Sequence, residues 1–436
     1  MTLSTRLMKQ RRFVPLFVTQ MLGAFNDNLY KNAMVLFVVY SVYSSEAAEA
    51  RFSAIASAVF ILPYFLFSAL AGQLADMRDK AAIIRWIKMA EIGIMLAGAA
   101  GLVLAWQSIA VESMAIPLLL AALFAMGVHS TFFGPIKYAI LPQHLHDDEV
   151  LAGTGLVEAG TYLAILAGTI LAGWVAVEWA AILVILLAIA GYVAGRQVPP
   201  APAQGDVEAI DYNVWRSSIR VIRDTMVDSR VFYAIIAISF FWTIGAVLFI
   251  EFPPLAKNVL TASKEVASLF LVVFSVGVAI GSMAINGLLK GKVSARYAPV
   301  SVIAMGIFIV LFHFVCLAWT PLASGLLGPL EFIARPLAWP LLACLLGIAV
   351  SGGMFVVPLY AFLTTVVKKT QTARTIAANN ILNAIAMTGG SLLAVMLTGM
   401  GVSIEDQLLL AAAMCIGSAW LGFVLYRAEK RLASAG

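Results

Sequence analysis

Apolar stretches separated by short polar segments recur along the whole chain, and each is about as long as a membrane-spanning helix. They fall at 13–43, 52–74, 82–106, 112–140, 150–176, 178–195, 230–256, 266–289, 297–320, 337–366, 373–400 and 404–427. A helix needs about 20 mostly apolar residues to cross the hydrocarbon core of a bilayer. Only 12% of the residues are charged, whereas a soluble protein has about 25%. The sequence therefore predicts an all-α membrane protein with twelve transmembrane helices.

The longest polar segment divides the stretches into two groups of six. It begins with the proline-rich VPPAPAQG and continues with YNVWRSSIRVIRD, a pattern typical of a short amphipathic surface helix. We therefore predict an N-terminal six-helix half over residues 1–195, a cytoplasmic linker over 196–229 and a C-terminal six-helix half over 230–436. GPIKYAILP in the first half resembles VPLYAFL in the second. Two repeated halves are typical of transporters that bind their substrate between the repeats.

Lysine and arginine are concentrated on one side of the predicted membrane. With the N-terminus in the cytoplasm, 21 of the 28 basic residues fall in cytoplasmic segments and four in outside segments. This asymmetry predicts that both termini are cytoplasmic. It also explains the net charge of +5 by contact with anionic lipids, so we predict no nucleic-acid partner. The sequence has no metal-ligand cluster, nucleotide-binding loop or nucleophile–base motif, so we predict no metal, no cofactor and no enzymatic activity.

The first apolar stretch contains an unusual polar turn within GAFNDNLYKN. An ionisable side chain at membrane depth costs about 2.5–3.5 kcal/mol and is therefore expected to face an internal cavity. Asp27 and Lys31 are four residues apart and share one helix face, while Asn26 and Asn28 extend the polar surface. Two interpretations are open. These side chains either hold the first helix to a neighbouring helix or line a cavity that binds a polar headgroup.

Further candidate site residues lie in the fourth and fifth predicted spans. Lys137 follows a glycine–proline pair and precedes Tyr138. Its ammonium group either binds a phosphate of the substrate or extends towards the membrane surface. Glu158 lies in the glycine-rich fifth helix, where it either contacts the substrate or pairs with a basic residue such as Lys137.

The second half supplies amide and aromatic candidates. Asn379, Asn380 and Asn383 lie in the eleventh predicted span, residues 373–400, in the position that corresponds to Glu158 in the first half. Tyr360 lies in the tenth predicted span, residues 337–366. The amides either bind a glycerol or phosphate ester through hydrogen bonds or bind neighbouring helices to each other. Tyr360 is available for the wall of the substrate cavity.

The segment GQLADMRDKAAIIR, between the second and third helices, resembles the loop motif Gly-x-Leu-x-Asp-Arg-x-Gly-Arg of the major facilitator superfamily. Gly72, Asp76 and Arg78 are in register with this motif, and two other positions depart from it. The resemblance implies the major facilitator fold. It also implies that Asp76 and Arg78 act in gating at the cytoplasmic side and do not bind the substrate.

Two other segments resemble a narrower family. LFVTQMLGAFNDNLYKNA and FFGPIKYAILPQHL are similar to bacterial lysophospholipid transporters, above all to the facilitator-type domain that some bacteria fuse to a 2-acylglycerophosphoethanolamine acyltransferase. The resemblance implies a monomeric flippase of the bacterial cytoplasmic membrane that moves lysophospholipids, such as lysophosphatidylethanolamine, from the outer to the inner leaflet by alternating access. It also implies an acyltransferase or acyl-ACP synthetase as a partner, and it favours substrate binding by Lys137.

Two other functions remain compatible with the sequence. One is a proton-coupled facilitator for drugs or small solutes, in which Asp27 carries the proton and His129 or His313 takes part. A lone histidine in an apolar helix is also compatible with simple packing. The other function is a membrane scaffold that docks an acyltransferase and transports nothing.

Overall fold

The computed structural model describes residues 3–42, 46–204, 210–323 and 325–433. Within these ranges the chain is helical and contains no β-strand beyond an isolated bridge between Ala262 and Leu327. The helices that precede the linker are α1 (Leu3–Leu7), α2 (Val14–Phe37), α3 (Glu46–Met77), α4 (Lys80–Trp106), α5 (Ile116–Ala139), α6 (Leu141–His144), α7 (Val150–Trp174) and α8 (Val177–Gly195). Those that follow are α9 (Val214–Thr225), α10 (Ser229–Pro254), α11 (Lys264–Leu289), α12 (Ala298–Ala318), α13 (Pro329–Ile333), α14 (Ala338–Thr365), α15 (Thr372–Gly399) and α16 (Ile404–Ala433).

Eleven helices of the described ranges are long and apolar enough to cross a membrane. The remaining long helix, α2, has 24 residues and carries the polar turn. Together they confirm the predicted all-α membrane fold with twelve helices. The boundaries differ in places: α3 begins at Glu46, before the apolar stretch predicted from residue 52. The preceding residues, EAAEAR, are strong helix formers, so the helix continues beyond its apolar part.

Several helix starts follow from local sequence. Proline occupies the first turn of α2, α5 and α12, where its missing N–H group would be unpaired in any case. Asp79 precedes α4, and its carboxylate accepts a hydrogen bond from the N–H group of Ala81. Asp228 caps α10 in the same way. These residues fix where the polar connections end and the spans begin.

The chain divides into two compact units. The first comprises Met1–Glu149, Leu163–Thr225 and Val367–Ile381. In this unit α2 packs against α8, α4 against α5 and α8, and α3 against α5. Tyr30 of α2 is fully buried and donates a hydrogen bond to the carbonyl oxygen of Leu119 in α5, 3.0 Å away. Gly98 of α4 lies against the Tyr30 ring and leaves the space that the ring fills.

The second unit comprises Val150–Tyr162, Met226–Val366 and Leu382–Gly436. Its core is formed by α14, which packs against α11 and α12, and by α16, which packs against α10 and α12. Gly281 of α11 lies directly against the backbone of Val350 in α14. Any side chain larger than hydrogen at Gly281 would therefore separate the two helices, as expected for small residues at helix contacts in membranes.

Candidate functional site

The polar turn of α2 lies inside the first unit, and its charged side chains are not paired with each other. Asp27 is half-buried, and its Oδ2 atom accepts a hydrogen bond from the hydroxyl of Ser130 in α5. The Oδ1 atom of Asp27 is buried and has no hydrogen-bond partner among the residues that the structure describes. Lys31 lies over the ring of Phe60 in α3, with its Nζ atom 5.3 Å from the ring centroid. The turn therefore presents a carboxylate and an ammonium group held apart by two different neighbours.

The other amides of α2 have different roles. Asn28 donates to the carbonyl oxygen of Ala24 one turn earlier, at 2.8 Å. Asn32 donates to the hydroxyl of Thr169 in α7, at 3.1 Å. Asn26 is fully buried and donates from Nδ2 to Oε1 of Glu91 in α4, at 3.0 Å. Asp27 and Lys31 are thus the two charged side chains of this turn, and Oδ1 of Asn26, like Oδ1 of Asp27, is buried without a hydrogen-bond partner among the described residues.

Glu91 is the centre of a buried network. Its Oε2 atom accepts a hydrogen bond of 2.6 Å from Nζ of Lys88, and Nε2 of His129 in α5 lies 3.4 Å away. Lys88 and Glu91 are 0% and 1% exposed. The Phe133 ring stacks on His129, and Lys88 lies over the same ring. The network joins α2, α4 and α5, and it contacts α2 at Asn26, the residue next to Asp27.

Lys88 lies within an apolar stretch and was not among the predicted site residues. The spacing of three residues between Lys88 and Glu91 is a signal that indicates a pair on one helix face. The structure adds the space that Lys88 needs. A Cβ atom at Gly23 would lie 2.7 Å from Nζ of Lys88, and Gly191 and Gly195 of α8 also face its side chain. Glycines from two helices thus form the passage that the lysine occupies.

Lys137 and Tyr138 lie in the last turn of α5, just after Pro135, which this helix contains. Lys137 is half-buried, and its Nζ atom is 4.8 Å from the centroid of the Tyr138 ring. Asn380 of α15 approaches the same turn, since its Nδ2 atom is 3.2 Å from the position that a Cβ at Gly134 would take. Asn379, the preceding residue, is fully buried. The structure thus brings Asn380 to the helix turn that carries Lys137.

In the second unit, Tyr360 is the centre of an aromatic and amide cluster. Its hydroxyl accepts hydrogen bonds from Nε1 of Trp242 at 3.0 Å and from Nδ2 of Asn383 at 3.4 Å. Asn383 in turn accepts a hydrogen bond from the Ser239 hydroxyl. The Trp242 ring stacks on that of Tyr162, and Glu158 is buried one turn before Tyr162. The cluster therefore contains three of the predicted site residues, Glu158, Tyr360 and Asn383.

Asp76 binds the first turn of α15. Its two carboxylate oxygens accept hydrogen bonds from the backbone N–H groups of Ala373 and Arg374, at 2.8 and 2.9 Å. A carboxylate in this position is stabilised by the positive end of the helix dipole. Arg78 is exposed in the connection that follows α3. Lys80, which was not among the predicted site residues, is fully buried.

His313 is buried, and its Nδ1 atom lies 2.8 Å from the carbonyl oxygen of Glu405. This contact satisfies the imidazole inside the helix bundle, as expected for a packing residue. Within the described ranges, no group of three or more histidine, cysteine or acidic residues is arranged to hold a metal ion.

Comparisons with known proteins agree with this architecture. A sequence model described as the Major Facilitator Superfamily matches residues 16–391. The lysophospholipid transporters LplT of Salmonella newport and Salmonella typhimurium are each 26% identical over 377 residues, which cover 84% of this chain and 82% of each relative.

Among solved structures, an outward-facing bacterial homologue of the iron transporter ferroportin is similar, with a TM-score of 0.69 and 14% identity over 96% of this chain and 98% of that one. The human organic anion transporter MFSD10 has the same TM-score at 13% identity, over 95% of this chain and 98% of that one. At these identities the structures show the fold alone. With the family match over most of its length, the chain belongs to the Major Facilitator Superfamily of membrane transporters.

Proposed function

We propose that this transporter carries lysophospholipids, with lysophosphatidylethanolamine foremost, from the outer to the inner leaflet of the bacterial cytoplasmic membrane. The observation that carries the proposal is the separated pair of charges on α2. Asp27 keeps one carboxylate oxygen without a hydrogen-bond partner among the described residues, and Lys31 contacts an aromatic ring. A phosphoethanolamine headgroup has an ammonium and a phosphate, so it complements both side chains at once.

The surroundings of this pair support the same substrate class. The Glu91 network anchors α2 through Asn26, which fixes the direction of the neighbouring Asp27. Lys137 offers a second cation for the phosphate, and the amides of Asn379 and Asn380 offer donors and acceptors for the glycerol. The LplT proteins, named as lysophospholipid transporters, match 84% of this chain, which favours a lipid substrate over a soluble one.

For the transport cycle, we propose that the halves 1–195 and 230–436 rock about the substrate and expose it to each leaflet in turn. Only the headgroup needs shelter, because the acyl chain is soluble in the bilayer. Asp76 is suited to a gating role, since it joins the end of α3 to the start of α15, which belong to different halves of the sequence. Both termini and the linker are proposed to be cytoplasmic, the protein is proposed to act as a monomer, and an acyltransferase is proposed to consume the delivered lipid.

The experiment is a flipping assay in proteoliposomes. Fluorescent lysophosphatidylethanolamine is placed in one leaflet, and back-extraction with albumin reports its movement. We expect the wild type to accelerate flipping and Asp27→Asn to slow it by about 10- to 100-fold, because a charge-assisted hydrogen bond contributes about 1.5–3 kcal/mol. Asp406→Asn, at an exposed position of α16, is the matched control and is expected to flip at the wild-type rate.

Two outcomes would contradict the proposal. If wild-type vesicles flip the lipid no faster than empty liposomes while moving a soluble solute, the substrate is not a lysophospholipid. If this movement of the soluble solute stops when an ionophore removes the proton gradient, the protein is a proton-coupled facilitator for small solutes. A scaffold without transport predicts that Asp27→Asn leaves reacylation of lysophospholipids in cells unchanged.

A further inference from the structure

The linker helix α9 has one face that packs on the protein. Ser217, Ser218 and Val221 are buried. Val221 packs against Ala69 of α3 and against Ala378 and Ile381 of α15. The start of the helix is held to α3 as well, because the backbone N–H of Asp211 donates to the side chain of Gln73 at 3.0 Å. The helix is therefore fixed in place, and its opposite face has a defined direction.

The opposite face is exposed and combines apolar with basic side chains. Tyr212, Trp215 and Ile219 are 74%, 73% and 65% exposed. Tyr212 lies just before the helix, whereas Trp215 and Ile219 lie within it and alternate with Arg216, Arg220 and Arg223 at intervals of three and four residues. The apolar and basic side chains therefore share one helix face. Together they border a shallow groove of about 470 Å³, which is lined by Asn213, Trp215, Arg216, Ile219, Arg220 and Arg223.

Acidic neighbours balance only part of this charge. Arg216 forms two hydrogen bonds of 2.9 Å with Asp211, and Arg220 lies 3.5 Å from the same carboxylate. Arg223 pairs with the exposed Asp224. The three guanidinium groups outnumber the two carboxylates, and each guanidinium has five N–H donors, more than its contact with a carboxylate uses. The face therefore remains able to bind anions.

The position of α9 along the axis of α3 is the second observation that indicates its surroundings. The span that includes most of α3 ends at Met77. At 1.5 Å per residue, Ala69 lies about 12 Å before this end, and Val221 packs against it. The helix thus lies beside the last two turns of a membrane-spanning helix and not in the solvent beyond it. The last turns of a membrane-spanning helix are expected near the headgroup layer, where aromatic side chains are enriched.

We propose that the exposed face of α9 binds the anionic headgroup layer of the membrane. Trp215 and Ile219 enter the boundary between headgroups and acyl chains, and Arg220 and Arg223 bind lipid phosphates. An amphipathic helix with aromatic, aliphatic and arginine side chains on its free face is suited to this location. Charge complementarity favours acidic phospholipids over zwitterionic ones. The linker between the two sequence halves would then be bound to the membrane surface through α9, whatever substrate the protein carries.

The test is the membrane depth of single spin labels on the full-length protein in lipid nanodiscs. The three native cysteines, which are buried, are first replaced by alanine. Labels are attached in separate variants at Ile219→Cys on the proposed membrane face and at Asp224→Cys, an exposed position about 140° around the helix from Ile219. We expect the first label to be more accessible to oxygen than to a water-soluble nickel complex, and the second to show the reverse.

A second arm tests the preference for acidic lipids. With 30% phosphatidylglycerol in the phosphatidylcholine nanodisc, we expect hydrogen exchange across Val214–Thr225 to slow in the wild type. Arg220→Gln with Arg223→Gln is expected to remove this protection, by roughly five-fold in the exchange rate per arginine. Lys290→Gln with Lys292→Gln, an equal charge change at exposed positions after α11, is the matched control and is expected to retain it.

The proposal is overturned if the label at residue 219 is accessible to the nickel complex in both lipid compositions. It is equally overturned if this label becomes immobilised only when a soluble acidic protein is added, because the face then binds a protein. Equal loss of protection in both double variants would show that the lipid preference does not arise from α9.

Discussion

At the scale of single residues, the chain contains a buried charged pair that is costly unless every member has a partner. Glu91 accepts hydrogen bonds from Lys88 and Asn26 and has His129 close by. Removing both charges and replacing them with apolar side chains is often neutral for such pairs, whereas removing one is strongly destabilising. The free energy of unfolding therefore reports whether the network exists as described.

The first prediction concerns this pair. Glu91→Gln leaves the fully buried Lys88 without a counter-ion, so we expect a loss of about 3–5 kcal/mol in the free energy of unfolding. The double substitution Lys88→Met with Glu91→Leu removes both charges and is expected to recover most of this loss. Denaturation in detergent micelles measures both variants. A double variant that is less stable than Glu91→Gln would contradict the pairing.

The second prediction concerns the glycine beside Lys88. In Gly23→Ala, the new methyl group would lie 2.7 Å from the Lys88 ammonium, which Glu91 holds in place. We expect a loss of about 1–3 kcal/mol, as for other overpacked interiors. Gly93→Ala is the control, because nothing lies within 4 Å of the Cβ that it adds. The thermal midpoints of the two variants should differ, and equal midpoints would show that Lys88 moves away freely.

At the scale of elements, helix ends and short segments are fixed by carboxylates outside the spans. Asp79 caps α4 and also accepts a hydrogen bond from the N–H group of Ala201 in the linker. Glu149, at the start of α7, is buried and accepts hydrogen bonds from Arg6 and Arg12. The N-terminal segment that contains α1 is therefore held by this carboxylate, together with a hydrogen bond from Arg12 to the carbonyl oxygen of His144 and the burial of Leu7.

The third prediction is a pH dependence of this attachment. Burial alone raises the pKa of Glu149, but the His146 N–H group and the Arg6 and Arg12 guanidinium groups lower it more, so the pKa lies below its usual value. A lowered pKa in the folded state means that the attachment is fully stabilising above the ordinary value of 4.5 and weakens as the pH falls through the folded-state pKa.

Hydrogen exchange of residues 3–13, corrected for its intrinsic pH dependence, measures the attachment. We expect constant protection from pH 8 to about pH 5 and a loss at lower pH. Glu149→Gln is expected to show reduced protection that does not change between pH 8 and pH 3, since its amide carries no charge to hold the arginines. Unchanged protection of the wild type at pH 3 would show that the ion pairs do not hold this segment.

At the scale of the whole molecule, the residues that determine the fold are different from those that select a substrate. The bacterial homologue of the iron transporter ferroportin and the human organic anion transporter MFSD10 share this fold at 14% and 13% identity. Substrate choice must therefore depend on a small number of polar side chains within a common helical framework. We propose that in this protein the separated charges of α2 and the Tyr360 cluster are among these side chains.

The fourth prediction follows from binding linkage. A ligand that binds only the folded state raises the free energy of unfolding by about 2.7 kcal/mol at 100 times its dissociation constant. We expect lysophosphatidylethanolamine to raise the thermal midpoint of the purified protein, and xylose to have no effect. Asp27→Asn should reduce the shift, while Asp406→Asn should retain it. A shift of equal size in Asp27→Asn would exclude Asp27 from the headgroup site.

The sequence by itself determined the twelve spans, because the length of an apolar segment is a local property and the thickness of the bilayer sets the length that is required. It also located the polar turn of α2, since charged residues in an apolar run are visible without any partner. The pattern at Gly72, Asp76 and Arg78 indicated the superfamily before any helix was placed. Helix ends were less certain, as the extension of α3 to Glu46 shows, because helices continue beyond the membrane.

Only the tertiary structure decided which side chains meet. The spacing of Asp27 and Lys31 placed them on one face of α2, but Ser130 and Phe60, which contact them, lie in other helices. Helical periodicity defines a face and says nothing about which neighbour covers it. The pairing of Asn26 with Glu91 spans 65 residues of sequence, so it depends on how the helices pack. For that reason the spans were predictable from local composition, whereas the Glu91 network required the folded bundle.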